Sequence, residues 1–283
     1  MTRVLVTGAN GYIGCHVVQA LLDKGADVAA VDFAVDGIPD GADKFMLNIF
    51  DPSLNVYTET GSPDVVLHMA WKDGFVHNSP AHMELLSDHC KFCNRIADSG
   101  IKTLAVIGSM HEIGYWEGAI DENTPCNPLS QYGVAKNALR QSIALALKDK
   151  INLQWLRAYY IYGDDKRASS IFAKITAAEE RGDELFPFTS GKNKYDFITV
   201  NVLAKQIAAC VLQDKVNGII NCCTGEPKSL AEQVETFLKE HHFNIKLKYG
   251  AFPDRPYDSP AVWGNSTKIE KIMKGTEQNA RKV

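Results

Sequence analysis

Tyr132 and Lys136 lie four residues apart in a stretch, Tyr132–Leu147, whose apolar spacing predicts a long helix, so both side chains project from one face. A phenol with a pKa of about 10 is a poor proton-transfer group at neutral pH unless a neighbouring cation favours its phenolate. Lys136 is placed to supply that cation. Such a pair arises often by chance, and its weight depends on what the chain brings beside it. Ser109 follows the apolar run Thr103–Ile107, a predicted fifth strand. Open α/β sheets put ligands just beyond strand ends, and a hydroxyl there can hydrogen-bond a reacting carbonyl or alcohol oxygen.

A second constellation opens the chain. Gly8, Gly11 and Gly14, within Thr7-Gly8-Ala9-Asn10-Gly11-Tyr12-Ile13-Gly14, separate an apolar strand, Arg3–Thr7, from a helix expected over Tyr12–Lys24 and closed by Gly25. Between a strand and a helix, such glycines serve a tight turn, close approach of backbone to a pyrophosphate, and close helix–strand packing. The helix N-terminus then offers unpaired N–H groups and a positive dipole end to the phosphates. Asp32 ends the second strand, Val28–Asp32, 18 residues after Gly14. A carboxylate there accepts hydrogen bonds from an adenosine ribose and repels a 2′-phosphate, and no Arg follows closely. NAD(H) is therefore favoured over NADP(H), which stays the alternative.

To position these groups the chain must alternate strands and helices, and it does. Phe45–Asn48, Asp64–His68 (introduced by Ser62-Pro63) and Leu153–Arg157 are further strands, and Pro80–Ser99 reads as a helix with Met83, Leu86, Cys90, Cys93 and Ala97 on its apolar stripe. The loop Gly108–Gln131 carries Tyr115 and Trp116, two aromatics suited to sugar stacking or to packing. Past Gly163 the rhythm changes, with helices at Ser170–Arg181 and Val200–Leu212 before a strand at Ile219–Cys222. The expected fold is α/β: a doubly wound parallel sheet with a smaller C-terminal α/β lobe. Residues 1–165, with return elements at about 194–222, would form the dinucleotide-binding domain, and 166–193 with 223–283 the substrate-binding lobe.

At 283 residues with a net charge of −4, the chain has no basic field for a nucleic-acid backbone. Its N-terminal apolar run is far shorter than the roughly 20 residues of a membrane span, so no membrane partner is expected. Its seven cysteines are irregularly spaced. Cys90 and Cys93 resemble half a metal site, but no second pair follows, so reduced thiols in the cytoplasm and no metal are expected.

The Gly-x-x-Gly-x-x-Gly spacing, Ser109 five positions before Gly114, and Tyr132-x-x-x-Lys136 together resemble the Rossmann-fold short-chain dehydrogenase/reductase superfamily, in its extended branch of nucleotide-sugar epimerases, dehydratases and reductases. The resemblance implies a catalytic Ser109, Tyr132 and Lys136, with Lys136 also on the nicotinamide ribose. It further implies cofactor contacts from Thr7, Gly8, Asn10, Gly11, Tyr12, Ile13, Gly14, Asp32, Asn48, Ile49, Met69, Ala70, Trp71, Tyr159 and Ile161. Leu156-Arg157-Ala158-Tyr159-Tyr160-Ile161-Tyr162-Gly163 resembles a family segment in which Tyr160 stands where a substrate-contacting Asn is usual. In Tyr195-Asp196-Phe197-Ile198, Tyr195 replaces a phosphate-binding Arg. Arg255, in Arg255-Pro256-Tyr257-Asp258, resembles a clamp on a substrate diphosphate. Substrate contacts are thus expected from Ser109, Met110, His111, Tyr132, Tyr160, Tyr195 and Arg255.

The family's 4,6-dehydratases carry Asp and Glu where this chain has Met110 and His111. Met cannot transfer a proton, which argues against dehydration, whereas His111 either acts on the sugar ring or only braces its loop. The reading favoured is NAD(P)H-dependent reduction of the 4-keto group of a nucleotide-linked, dTDP-type 4-keto-6-deoxyhexose in deoxysugar biosynthesis, by a homodimer. An NAD-dependent nucleotide-sugar 4-epimerase is the alternative, ahead of a non-sugar carbonyl reductase or a non-catalytic dinucleotide sensor.

Overall fold

The computed structural model describes residues 1–163, 170–254 and 258–280, without the side chains of 277–280. Fifteen strands appear among them: β1 (Arg3–Thr7), β2 (Asp27–Asp32), β3 (Asp43–Met46), β4 (Val65–His68), β5 (Thr103–Ser109), β6 (Gly118–Ile120), β7 (Asn152–Ala158), β8 (Tyr160–Tyr162), β9 (Leu185–Pro187), β10 (Lys194–Tyr195), β11 (Phe197–Thr199), β12 (Gly218–Cys222), β13 (Lys228–Ser229), β14 (Lys246–Lys248) and β15 (Ala261–Gly264). The helices are α1 (Tyr12–Leu22), α2 (Val56–Glu59), α3 (Ala81–Glu84), α4 (Leu86–Ala97), α5 (Gln131–Ala146), α6 (Ile171–Glu180), α7 (Val200–Val211), α8 (Leu230–Glu240) and α9 (Thr267–Ala280). Seven parallel strands form the main sheet in the order β12-β7-β5-β4-β1-β2-β3. This is the doubly wound sheet the sequence predicts.

Helices cover both faces, which is why its inner strands read as continuous apolar runs. Along β1, Val4 and Val6 join the core that takes in Val17 and Leu21 of α1 and Leu203 and Ile207 of α7. Leu5, pointing the other way, joins Phe92 and Ile96 of α4 and Leu139 and Ile143 of α5. A third, smaller core gathers Phe172 and Ile175 of α6 with Val234 and Phe237 of α8. Three short sheets complete the fold: β13-β10-β15-β6, the parallel pair β8–β11 and the parallel pair β9–β14. Asp196 fastens these pieces together, accepting from Thr224, Gly225 and Gly264 backbone N–H groups at 2.8–3.1 Å. Among the described residues no helix is long and apolar enough to cross a membrane.

Four expectations need correction. The helix expected over Pro80–Ser99 is two, broken at Leu85, and the register change turns Met83 outward to 43% exposure while His89 and Phe92 face the core. β3 begins at Asp43 rather than Phe45, because Arg3 holds both Asp27 (2.6 Å) and Asp43 (2.7 Å) and so draws two acidic strand starts together. The loop Gly108–Gln131 contains a 3₁₀ turn, Met110–Glu112, and β6. Helix α9, in the stretch expected to belong to the smaller lobe, packs Ile269 and Ile272 into the core of the main sheet.

β1 turns sharply into α1 at Gly8, whose φ is +73°. A Cβ at Gly14 would run into the carbonyls of Gly8 and Ala9, so helix and turn are in backbone contact. Gly14→Ala is therefore expected to cost about 1–3 kcal/mol, read as a lower urea midpoint with an unchanged slope. A midpoint equal to wild type contradicts this close packing.

Candidate active site

Strand order reverses between β1 and β4, and a cleft of ≈ 770 Å³ opens there at the carboxyl ends of the strands. Its lining begins with Gly8, Gly11, Tyr12, Ile13 and Gly14. Gly11 at the N-cap of α1 contributes no side-chain acceptor, and the first turn carries no acid. An anion is thus suited to that helix end. A Cβ at Gly8 would fall 2.6 Å from the Ala70 nitrogen, so only glycine lets the turn reach the end of β4. Asp32 accepts from the Asn10 N–H at 2.9 Å and the Phe33 N–H at 2.7 Å, and Asn10 in turn donates to Asp36 at 3.2 Å. Two carboxylates therefore flank the turn, Asp32 at the strand end and Asp36 four residues beyond it.

The helix carrying Tyr132 and Lys136 is fixed at its first turn. Ser130 caps α5 by accepting from the Gly133 N–H at 3.1 Å. The loop after β4 supplies the remaining acceptors: His77 O takes the Tyr132 N–H at 2.9 Å, and Asn78 takes the Gln131 N–H at 3.1 Å. A Cβ at Gly133 would overlap the His111 carbonyl and sit 2.9 Å from Pro128 Cβ. The glycine between Tyr132 and Lys136 therefore lets α5 dock backbone-to-backbone on the turn that follows Ser109.

Ser109 caps that 3₁₀ turn, its Oγ accepting from the His111 N–H at 3.3 Å, and it lines the cleft together with Tyr132. Lys136 is buried at 2% exposure, donates to Ile107 O at 2.8 Å and lies 3.7 Å from the Trp71 ring centroid. Burial pushes the Tyr132 phenol up to about 12, partly offset by Ser109, and pulls the Lys136 amine down to about 7. Tyr132 at neutral pH is thus a proton donor. His111 is drawn down to about 4 by burial and by neighbouring His77, so it faces the cleft as a neutral imidazole.

The structure brings most of the expected residues together, though not all. Met69, Trp71, Met110, Tyr160, Ile161 and Tyr195 line the cleft, with the Tyr160 and Tyr195 rings 4.3 Å apart. Tyr159 also borders it, but its ring is buried against Gly264. Thr7 and Ala70 are absent from the lining: Thr7 Oγ1 accepts from the Met69 and Ala70 N–H groups at 3.2 and 3.3 Å and bonds His68 at 2.8 Å. Asn48 and Ile49 lie away from it too, Asn48 accepting from the Phe50 N–H and Ile49 buried in the core. Tyr115 and Trp116 do not line the cleft either; Trp116 donates to Ala119 O at 3.2 Å. Arg255 lies outside the described residues.

Sequence reasoning found His111 but missed the four histidines around it, His68, His77, His82 and His89. His77 stacks parallel to Tyr132 at 5.8 Å and touches His111 at 4.5 Å, while His82 meets Tyr132 edge-on at 5.3 Å. His82 bonds Val76 O at 2.9 Å and accepts from Trp71 at 3.0 Å, which fixes the orientation of its ring. Behind them His68 and His89 pair at 2.9 Å. The available signal was their density: five of the eight histidines fall between positions 68 and 111.

Holding an amine at about 7 against an ordinary 10.5 makes the unfolded chain bind a proton that the folded chain releases, so stability rises with pH between those values. Lys136→Met is therefore expected to unfold at higher urea than wild type at pH 7, the gap closing towards about pH 10. A variant less stable than wild type at pH 7 contradicts this burial cost.

Residues 4–223 match the family model described as "NAD dependent epimerase/dehydratase family". The chain is 45% identical over 268 residues to a dTDP-6-deoxy-L-talose 4-dehydrogenase (NAD(+)) of Aggregatibacter actinomycetemcomitans, covering 93% of this chain and 99% of that one. Its fold is similar to a UDP-N-acetylglucosamine 4-epimerase from Methanobrevibacter ruminantium (TM-score 0.83, 20% identity, 96% of this chain and 91% of that one). It is also similar to a Thermus thermophilus UDP-glucose 4-epimerase in complex with NAD (TM-score 0.80, 21% identity, 95% and 92%). With its glycine turn and its Ser109, Tyr132 and Lys136 gathered at one cleft, the chain belongs to the NAD-dependent epimerase/dehydratase family.

Proposed function

We propose that this chain is an NAD-dependent oxidoreductase acting at C4 of a dTDP-linked 6-deoxyhexose, interconverting the 4-keto sugar and its alcohol. The observation that carries the reading is the Ser109–Tyr132–Lys136 group in one cleft with the glycine turn, in a chain 45% identical to a dTDP-6-deoxy-L-talose 4-dehydrogenase. The bound nicotinamide cofactor supplies or accepts the hydride. Gly11 and the first turn of α1 would hold its pyrophosphate, Asp32 and Asp36 the adenosine ribose, and Lys136 the nicotinamide ribose.

In the reducing direction Ser109 and Tyr132 hold the ketone oxygen, and the phenol gives up its proton as negative charge develops there. The Lys136 ammonium balances the phenolate left behind. The aromatic wall of Tyr160 and Tyr195 suits the nucleotide-sugar, and Arg255 suits its diphosphate. Residues 166–193, with parts of 223–283, would supply the substrate lobe. Met110 and neutral His111 stand where dehydration needs a carboxylate pair, which favours plain redox chemistry. Seven free cysteines, five of them buried, suit a cytoplasmic setting, and exposed Met83, Val134 and Leu145 suit burial in a homodimer, read by sedimentation as twice the chain mass.

Added to NADH and a dTDP-4-keto-6-deoxyhexose, the protein is expected to oxidise NADH one-for-one with sugar; Tyr132→Phe should lower kcat about 10²–10⁴-fold with little change in KM. Absence of NADH oxidation with every such sugar contradicts the reading. Asp32→Asn keeps the acceptor for Asn10 but removes a charge, so the preference for NADH over NADPH is expected to fall about tenfold. An unchanged preference removes Asp32 from the ribose site.

A further inference from the structure

Behind Ser109, on the side away from the cleft, lies a carboxylate that the mechanism does not use. Glu112 ends the 3₁₀ turn and is 0% exposed. Its Oε1 accepts from the Ser109 N–H at 2.6 Å, and its two oxygens accept from Trp155 Nε1 at 2.9 and 3.0 Å. Two cations flank it: Arg157 NH2 at 3.5 Å and Arg140 Nε at 3.7 Å. A carboxylate moved this far from water costs several kcal/mol unless paired, so the cluster has a cost that packing alone does not require. Gly108 makes room for it, since a Cβ there would overlap Trp155 and lie 2.7 Å from Glu112 Oε1. Three features of the sequence, Gly108, Glu112 and Trp155, are thus committed to placing one negative charge beneath Ser109.

We propose that Glu112 is a positioning residue for the redox step: it holds Ser109 against Tyr132 and presents a negative charge to the Tyr132–Lys136 pair from behind. This rests on the oxidoreductase reading above. The groups that face the pair come from every neighbouring element. His68 lies at the end of β4, His77 and Trp71 in the following loop, His82 on α3, His89 and Cys93 on α4, His111 beside Ser109, and Arg157 on β7. Burial keeps His68, His89 and His111 neutral and pushes the Cys93 thiol up, leaving it protonated. Among the described residues Glu112 is then the anion that supports a charged Lys136, and it also discourages ionisation of Tyr132. Arg140, one turn beyond Lys136 on α5, opposes it. Glu112 and Arg140 thus set the local potential with opposite signs.

Reduction needs Lys136 charged, so its rate falls as pH rises through the Lys136 pKa. Glu112→Gln keeps an acceptor for Ser109 and Trp155 but removes the charge, and is expected to move that fall to lower pH by about half a unit or more. Arg140→Gln is expected to move it to higher pH. A purely structural role changes rates without opposite displacements of the two profiles. Trp155→Phe removes a donor but leaves the charge, so it should keep the wild-type profile. The same displacement is readable without substrate: the urea-stability gap between Lys136→Met and its parent grows as pH falls and levels off below the folded Lys136 pKa, and in the Glu112→Gln background it levels off at lower pH. If Glu112→Gln does not fold, Arg140→Gln decides alone. Unshifted profiles, or shifts of one sign in both variants, overturn the proposal. A wild-type protein that reduces no dTDP-4-keto sugar overturns instead the reading on which it rests, and the stability series still judges Glu112.

Discussion

A lysine amine held away from water is costly, and the architecture around this cleft is organised by that one placement. Lys136 rests between a single strand carbonyl, Ile107 O, and the face of Trp71. Neither is a counter-ion, so solvation is only partly replaced and the amine is drawn down to about 7. The same burial drives the Tyr132 phenol up. Proximity in a dry site therefore splits the pair into a proton donor and a cation that can balance the donor's conjugate base. In water the same two side chains would be a neutral phenol and a solvated ammonium with almost no influence on one another.

Such a site works only if its parts cannot drift. α5 is docked through Gly133 onto the His111 carbonyl, and its first N–H groups are taken by His77 O, Asn78 and Ser130. The loop after β4 is thereby tied to the helix bearing the proton donor, and its histidines close around the Tyr132 ring. Capping, tight packing and ring contacts act together, so Tyr132 is placed by three chain segments rather than by its own rotamer. The sheet supplies the frame: β5 delivers Ser109, the loop after β4 delivers Trp71, and β1 leads into the glycine turn, all at the carboxyl ends of the strands.

Much of this was legible from the chain. Arg3–Thr7 is legible because its centre, Val4-Leu5-Val6, is an unbroken apolar run of a buried parallel strand, and Tyr132 and Lys136 pair because helical spacing is rigid. What escaped depended on partners distant in sequence. The start of β3 is set by Arg3 gripping Asp43, a polar event invisible to apolar periodicity. The break at Leu85 divides what one apolar stripe would join. Glu112 carries no periodic signal of burial, and its place emerges only once Trp155, Arg157 and Arg140 are folded around it. Thr7 illustrates the converse: a family resemblance assigns it to the cofactor, whereas its hydroxyl is spent on Met69, Ala70 and His68.

On the proposed reading this cleft moves hydride between an exchangeable nicotinamide and sugar C4, with Tyr132 handling the proton. The most direct measurement is isotope tracing with NADH deuterated at C4 on either face, incubated with a dTDP-4-keto-6-deoxyhexose and followed by NMR. The expected result is deuterium at C4 of the sugar alcohol, from one face only, in a one-to-one ratio with NADH oxidised. A sugar epimerised at C4 without deuterium, its NADH unconsumed, would contradict it.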